Sequence, residues 1–309
     1  MWRWMALVLL AGLPLPAAAQ ATASATEDRV PRVAIVPSDF RGSQDHDGAV
    51  ISGLASPKPL TAALTKTDID AMLAKALELG NTRRGGLDRI IRPGDWVVLL
   101  AGPGADPRLV AAVADWLAAN GKQERVSLIG LDSGALSGHR KEAALKMEPA
   151  ALTDSMRMPA PGIYSRRDVD YQVARALLHC DKVVTVAALP RGPRLPSIEA
   201  FGAAAKGPHA TDPATQLDLF SFHPAEYSIV GSLGPVNMIV AGPFPTSVDA
   251  VVYKLRGGEP AQNPVLREAE RRGFGDGDTD YIWLRGLEIE DAMKLLPAPR
   301  KVATMEVKR

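Results

Sequence analysis

The sequence predicts an α/β fold with a largely parallel sheet, helices on both faces and many loops. Apolar, strand-like segments alternate with amphipathic helical segments from residue 30 to residue 296. The segments 96–101 and 182–188 are mostly apolar, as expected for strands that helices cover on both faces. The stretch 91–121 shows the repeating unit most clearly, because it reads as turn, strand, glycine loop and helix.

Each step of that unit has a local cause. The turn at 93–95 combines Pro, which fixes φ, with Gly, which permits unusual backbone angles. The strand ends at the Gly-Pro-Gly sequence of 102–104. Asp106 is a suitable N-cap and Pro107 a suitable first helical residue, so we expect a helix to begin here. The apolar run 126–131 then supplies the parallel strand that completes a crossover unit.

The remaining elements follow from the spacing of apolar residues and from turn-forming residues between them. We predict further strands at 30–36, 236–241 and 280–284. We predict further helices at 67–79, 140–147, 169–178, 247–255, 264–272 and 289–296. The segment 190–227 is rich in Pro, Gly, Thr and Asp and supports no assignment. A single α/β domain is expected over 30–300, with a candidate lobe boundary near 150–165 and a C-terminal tail at 301–309.

The first 21 residues have the features of a secretory signal peptide. Arg3 precedes an apolar run that begins at Met5, and cleavage after Ala19 or Ala21 would satisfy the A-x-A pattern. Residues 22–29 would form a flexible start of the mature chain. A bilayer span needs about 20 apolar residues, more than this run offers. The sequence therefore predicts a periplasmic or secreted protein without a membrane span after cleavage. The alternative is a retained N-terminal anchor helix.

Charge and cysteine content exclude several classes of function. The 309 residues include 36 Lys and Arg against 35 Asp and Glu, which gives a net charge of +1. Such a balance predicts neither a nucleic-acid partner nor attraction to a membrane surface. Cys180 is the only cysteine, so no disulfide within the chain and no cysteine-ligated zinc or iron–sulfur cluster is expected. We predict no cofactor, and we interpret Cys180 as a buried structural thiol.

Candidate ligand-binding residues follow the predicted strands, because ligands collect beyond the carboxyl ends of open α/β sheets. Gly102, Gly104 and Asp106 lie where free N–H groups at a helix start bind anions, although an ordinary capped turn is the favoured alternative. Arg191 and Arg194 follow the strand 182–188 and suit bidentate capture of a carboxylate or phosphate. The favoured alternative for these arginines is a solvated loop that pairs with nearby acids.

Asp249, near the start of the helix predicted at 247–255, completes the ligand-binding set. In a doubly wound sheet, we expect this helix start to share one rim with the loops after the central strands, so that Arg191 and Arg194 face Asp249. Asp39, Asp132 and Asp249 are the candidate catalytic carboxylates, since a buried carboxylate with a shifted pKa can serve as a general acid or base.

Asp45, His46 and Asp47 form a compact cluster of possible metal ligands. Three adjacent loop residues rarely all point toward one ion, so we predict no metal site. The other histidines show no H-x-H or H-E-x-x-H spacing. The sequence leaves metal binding at residues 45–47 open as the alternative.

The chain resembles a bacterial and archaeal family known as domain of unknown function 362, from about Thr67 to Gly286. The resemblance rests on the segments IRPGDWVVLL, ADPRLVAAVADWLAANG, LLHCDKVVTVAALP, PTSVDAVVYKLRG and AERRGFGDGDTDYIWLRG. Family members carry Lys-x-His where this chain has Arg191 to Arg194, and Asp where Phe244 precedes Pro245. The resemblance thus implies a divergent member that keeps Asp249 and lacks the ferredoxin-like cysteines of some members, and the signal peptide makes it an exported one.

Three interpretations of function follow. The first is a non-catalytic protein that binds a small anionic molecule or serves as an accessory protein on this scaffold. The second is an enzyme with a rearranged acid/base site made from Asp39, Asp132, Arg191, Arg194 and Asp249. A purely structural or partner-docking role is a third reading, and composition does not distinguish it from the others. The identity of protein partners does not follow from the sequence.

Overall fold

The computed structural model describes residues 30–45, 48–81, 86–121, 125–136, 138–139, 146–149, 154–160, 170–206 and 212–297. The strands are β1 (Arg32–Pro37), β2 (Gly42–Gln44), β3 (Val50–Ser52), β4 (Val97–Ala101), β5 (Arg125–Ile129), β6 (Lys146–Pro149), β7 (Ser155–Pro159), β8 (Asp170–Ala174), β9 (Lys182–Ala188), β10 (Ala205–Lys206), β11 (Tyr227–Ser232), β12 (Met238–Gly242) and β13 (Trp283–Gly286).

The helices are α1 (Lys66–Leu79), α2 (Leu87–Ile90), α3 (Pro107–Trp116), α4 (Arg175–His179), α5 (Pro196–Glu199), α6 (Pro213–Phe222), α7 (Pro245–Leu255), α8 (Pro264–Arg271) and α9 (Ile289–Leu295). The α3 helix continues into a π-helical turn at Leu117–Gly121. Short 3-10 turns lie at Ser133–Leu136, Ala200–Ala204, Pro260–Gln262 and Thr279–Tyr281.

The main sheet has eight described strands in the order β13-β1-β12-β11-β9-β4-β5-β6. All neighbours pair in parallel except β12, which is antiparallel to both β1 and β11. Seven strands therefore share one direction and β12 opposes them. The predicted α/β class with a largely parallel sheet is confirmed.

Helices cover both faces of this sheet. Alternate residues of β4 point to opposite sides: Leu99 packs in one core cluster with Leu109 and Val113 of α3, whereas Leu100 packs in another with Phe201. The five residues of β4 are all buried, which explains why the strand lacks polar alternation. The first cluster holds α1 and α3, and the clusters on the opposite face hold α5, α6, α7 and α8.

The central unit forms as predicted. Asp106 caps α3, because its side chain accepts a hydrogen bond from the backbone N–H of Arg108 at 2.9 Å, and Pro107 occupies the first helical position. The strand predicted at 182–188 matches β9 residue for residue. Local signals were sufficient here, because turn, cap and apolar run agree with one another.

Three element predictions are wrong. The helix predicted at 169–178 is β8 followed by the short α4, because Tyr171 and Val173 alternate with exposed residues and Val173 pairs with Met156 of β7. Lys146 and Met147, placed in a helix at 140–147, belong to β6 at the sheet edge. The strand predicted at 280–284 is a 3-10 turn followed by β13.

The unassigned segment 190–227 contains α5, a 3-10 turn, β10 and α6, and it ends where β11 begins. A strand of two residues and a helix of four are too short to show periodicity. The candidate lobe boundary lies near a second sheet of order β10-β8-β7, whose core residues pack with those of the main sheet. Within the described ranges, no helix is long and apolar enough to cross a membrane.

Candidate ligand-binding site

The direction of the chain connections changes between β4 and β9. From β4 the chain crosses one face of the sheet through α3 to reach β5. From β9 it crosses the opposite face through α5 and α6 to reach β11, on the other side. Neighbouring strands whose connections leave in opposite directions create a crevice beyond their carboxyl ends, where α/β proteins bind ligands.

A cavity of about 580 Å³ lies in this crevice, and we name it the switch-point cavity. Its walls come from the loops after β4 and β9, from the end of β11 with the loop that follows, and from the end of α7. The lining residues are Gly104, Asp106, Ala188, Leu189, Arg191, Gly231, Ser232, Leu233, Pro235, Val236, Arg256 and Pro297. The volume lies within the usual range of about 300–1,000 Å³ for small-molecule sites.

The charge of Asp106, the acidic residue of the cavity, is balanced by an ion pair with Arg108. The Asp106 carboxylate accepts hydrogen bonds from Nε and Nη2 of Arg108 at 3.0 and 2.7 Å. The same Nη2 also donates to the carbonyl oxygen of Leu233 at 2.5 Å, which ties the loop after β4 to the loop after β11. The hydrogen bonds with Asp106 raise the pKa of Arg108, so the guanidinium stays ionised. The formal charge left on the lining is therefore that of Arg191 and Arg256.

Arg256 is the unusual residue of this site. It directly follows α7, and 6% of its surface is exposed. Its Nε is buried and has no hydrogen-bond partner among the described residues. Burial lowers the pKa of the guanidinium, and no neighbouring charge offsets that effect. A nearly buried cation whose Nε has no acceptor among the described residues thus lies at the wall of a cavity.

The energetic balance at Arg256 is unfavourable without a partner. Withdrawing an ionised group from water costs several kcal/mol after relaxation of the protein. The end of α7 offers compensation, because the carbonyl end of a helix dipole favours a cation by about 0.3–1 kcal/mol. This contribution is smaller than the cost, so the guanidinium is poised to accept an anion from solution.

The predicted ligand-binding residues divide into two groups. Gly104, Asp106 and Arg191 line the switch-point cavity. Gly102 lies behind it, where an added Cβ would come within 3.0 Å of the Ala187 Cβ, so its small size serves packing. Arg194 points elsewhere: its Nε and Nη2 pair with Glu199 at 3.0 and 2.7 Å.

Asp249 does not join this rim, contrary to the predicted geometry. Because β12 is antiparallel, its last residue Gly242 pairs with Ser228 near the start of β11, and α7 therefore begins at the amino edge. Asp249 is fully buried, and its carboxylate accepts hydrogen bonds from the backbone N–H groups of Ser197 and Ile198 at 2.8 and 2.9 Å. Burial raises its pKa to about 7. It joins α7 to α5 and does not line the switch-point cavity.

The other two candidate catalytic carboxylates are also separate from the cavity. Asp39 follows β1 and Asp132 follows β5, and neither lines the cavity. Five strand spacings separate β1 from β5, which corresponds to about 24 Å at about 4.8 Å per spacing. Asp132 Oδ1 accepts from the backbone N–H of Gly134 at 2.9 Å, in a local turn. The three carboxylates therefore do not form one acid/base site.

The candidate metal cluster is only partly described. His46 and Asp47 lie outside the described residues. The Asp45 carboxylate forms an ion pair with Arg285 Nη1 at 2.8 Å, which joins the loop after β2 to β13. Within the described ranges, no group of three or more His, Cys, Asp or Glu side chains has the arrangement of a metal site.

A second, more open groove of about 860 Å³ lies at the amino edge of the sheet. Phe222, Phe244 and Phe274 contribute to its walls together with His223 and Arg272. Arg272 is paired with Asp218 at 3.0 Å and with Glu268 at 2.8 Å. Burial lowers the pKa of His223, whose Nδ1 lies 3.9 Å from the Cys180 Sγ. Arg272 already has partners within the protein, unlike Arg256.

No known family model matches the chain, and no curated protein matches it. Among solved structures, the chain is similar to the lactate racemase apoprotein from Thermoanaerobacterium thermosaccharolyticum, with a TM-score of 0.38 and 12% sequence identity. The matched region covers 66% of this chain and 58% of the racemase chain. The chain therefore spans less than two thirds of that protein, and a likeness of this strength carries no information about activity.

Proposed function

We propose that this protein binds a small organic anion in the switch-point cavity. The observation that carries the proposal is Arg256, a nearly buried guanidinium whose Nε has no acceptor among the described residues. Arg191 adds a second positive charge at the exposed side of the same cavity. Since the Asp106 charge is balanced by Arg108, the site attracts anions rather than cations.

The proposal is for binding without catalysis. Asp106 is the only carboxylate among the described lining residues, and both of its oxygens already accept hydrogen bonds from Arg108. No histidine, lysine or cysteine contributes to the described lining. A general base near neutral pH has no evident source in this arrangement.

Anion-dependent thermal stabilisation tests the proposal. Sodium acetate, benzoate and phosphate, each compared with sodium chloride at equal ionic strength, should raise the melting temperature, and at equal concentration the anion with the highest affinity should raise it most. A ligand at one hundred times its Kd stabilises the folded state by about 2.7 kcal/mol. Arg256→Met should remove the stabilisation, because the guanidinium at the cavity wall is lost.

Arg267→Met is the matched control. Arg267 is exposed on α8 and does not line the switch-point cavity, so the variant makes the same change in charge without removing a lining residue. It should keep the full response to the three anions. If Arg256→Met and Arg267→Met respond equally to every anion, the proposed function is wrong.

We further propose that the protein is exported, on the basis of the Arg3, apolar and A-x-A order of the first residues. Mass spectrometry of the protein from its natural host should find a mature chain that begins at Gln20 or Thr22. An intact Met1 on a cytoplasmic protein would contradict export. Membership of the domain of unknown function 362 family stays a prediction from sequence resemblance.

A further inference from the structure

The walls and donors of the switch-point cavity indicate the chemical class of its occupant. Leu189, Leu233 and Val236 line it with aliphatic side chains, and Pro235 and Pro297 add further apolar surface. Ser232 supplies the one side-chain hydroxyl among the described lining residues. A fully inorganic anion would leave most of this wall in contact with water.

The donor arrangement favours a carboxylate over a phosphate. A guanidinium presents parallel N–H groups that match the two oxygens of one carboxylate. A phosphate dianion carries more charge and more acceptor oxygens, and it is usually held by several backbone N–H groups at a helix start. Here the Asp106 side chain caps the start of α3 and already accepts from the backbone N–H of Arg108, so that N–H group is not available to a phosphate.

Resting on the proposed function, we infer that the ligand is a monocarboxylate with an apolar body. Its carboxylate binds the Arg256 guanidinium, and its hydrocarbon part lies along Leu189, Leu233 and Val236. Arg191 is exposed, so it strengthens attraction at the opening and does not set the depth of binding. The apolar body excludes water from Arg256, which strengthens the ion pair at that position.

A series of carboxylates of increasing length tests this inference by isothermal titration calorimetry. Acetate, butyrate and hexanoate should bind with affinity that rises about fourfold for each added methylene, until the cavity is filled. Inorganic phosphate should bind more weakly than butyrate. Hexanamide, which has the same hydrocarbon part without the charge, should bind far more weakly than hexanoate.

Two variants separate the carboxylate contact from the apolar contact. Arg256→Met should abolish binding of all three carboxylates, whereas Arg267→Met should leave the series unchanged. Val236→Thr, which keeps the branched side-chain shape but replaces one methyl group with a hydroxyl, should weaken the binding of hexanoate a few-fold and leave that of acetate unchanged. Thermal unfolding of Val236→Thr without ligand should show a cooperative transition, which establishes that the compared protein is folded.

The outcomes distinguish the inference from the proposed function. If affinity is independent of chain length, or if phosphate binds best while still requiring Arg256, the cavity binds anions but the inferred ligand class is wrong. If hexanamide binds as well as hexanoate, the carboxylate contact is wrong. If no anion requires Arg256, both the inference and the proposed function are wrong.

Discussion

Arg256→Met should make the ligand-free protein more stable, which reverses the usual effect of a substitution at a buried position. Arg256 is 6% exposed, and its Nε has no acceptor among the described residues. Replacing buried charges by apolar residues of similar volume stabilises proteins by about 1–4 kcal/mol in favourable cases. The cation gains about 0.3–1 kcal/mol from the end of α7, so we expect a net gain of about 1–3 kcal/mol. Met keeps the length of the arginine stem and adapts to irregular space.

This gain corresponds to a rise in melting temperature of about 2–6 °C, at about 2 °C per kcal/mol for a domain of this size. The assay is urea and thermal unfolding in a dilute zwitterionic buffer without carboxylate or phosphate, so that no anion occupies the site. Arg267→Met should stay within about 0.5 kcal/mol of the wild type, because Arg267 is exposed. A loss of more than about 1 kcal/mol in Arg256→Met alone would show that Arg256 stabilises the free fold, and the reasoning would fail.

Three further predictions concern the loop arginines, Asp249 and Cys180. Arg191→Ala should weaken anion binding without lowering the stability of the free protein. Arg194→Ala should leave the affinity measured by calorimetry unchanged, because Arg194 pairs with Glu199. Equal effects of the two variants on affinity would contradict this prediction. Asp249 has a pKa of about 7 in the folded protein against an ordinary value of 3.8. Between these two pH values the native state binds more protons than the unfolded state. The free energy of unfolding should therefore fall by about 4 kcal/mol as the pH rises from 4 to 7. Urea unfolding should show this loss of stability in the wild type and not in Asp249→Asn. If the two proteins lose stability equally as the pH rises, Asp249 is not its source. Cys180 has a pKa raised to about 12 by burial and should react with a thiol reagent only on unfolding; fast labelling of the native protein would count against this burial.

Much of the fold was predictable because its signals are local. The turn at 93–95, the apolar β4 and the Asp106 cap all point to one crossover unit, and the structure contains it. Errors arose where the decisive information is tertiary. Residues 170–174 form a strand because they pair with β7, and a stretch of five residues is too short to distinguish a strand from one turn of helix.

The candidate site was predictable only where its residues directly follow parallel strands. Gly104, Asp106 and Arg191 follow β4 and β9, and residues after parallel strands meet at one edge. The direction of β12 could not be predicted from its own residues, since an apolar run is equally compatible with a parallel and an antiparallel strand. That direction moves Asp249 away from the cavity and brings Arg256, at the other end of α7, to its wall. A basic residue at a helix end is common, so Arg256 carried no distinguishing signal in the sequence.

A crystal structure of the protein with hexanoate tests the central claim most directly. We predict electron density for the ligand in the switch-point cavity, with both carboxylate oxygens about 2.7–2.9 Å from nitrogens of the Arg256 guanidinium. The hydrocarbon part should contact Leu189 and Val236. A structure in which Arg256 is paired with a carboxylate of its own chain, and hexanoate is absent from the cavity or bound elsewhere, would contradict the account.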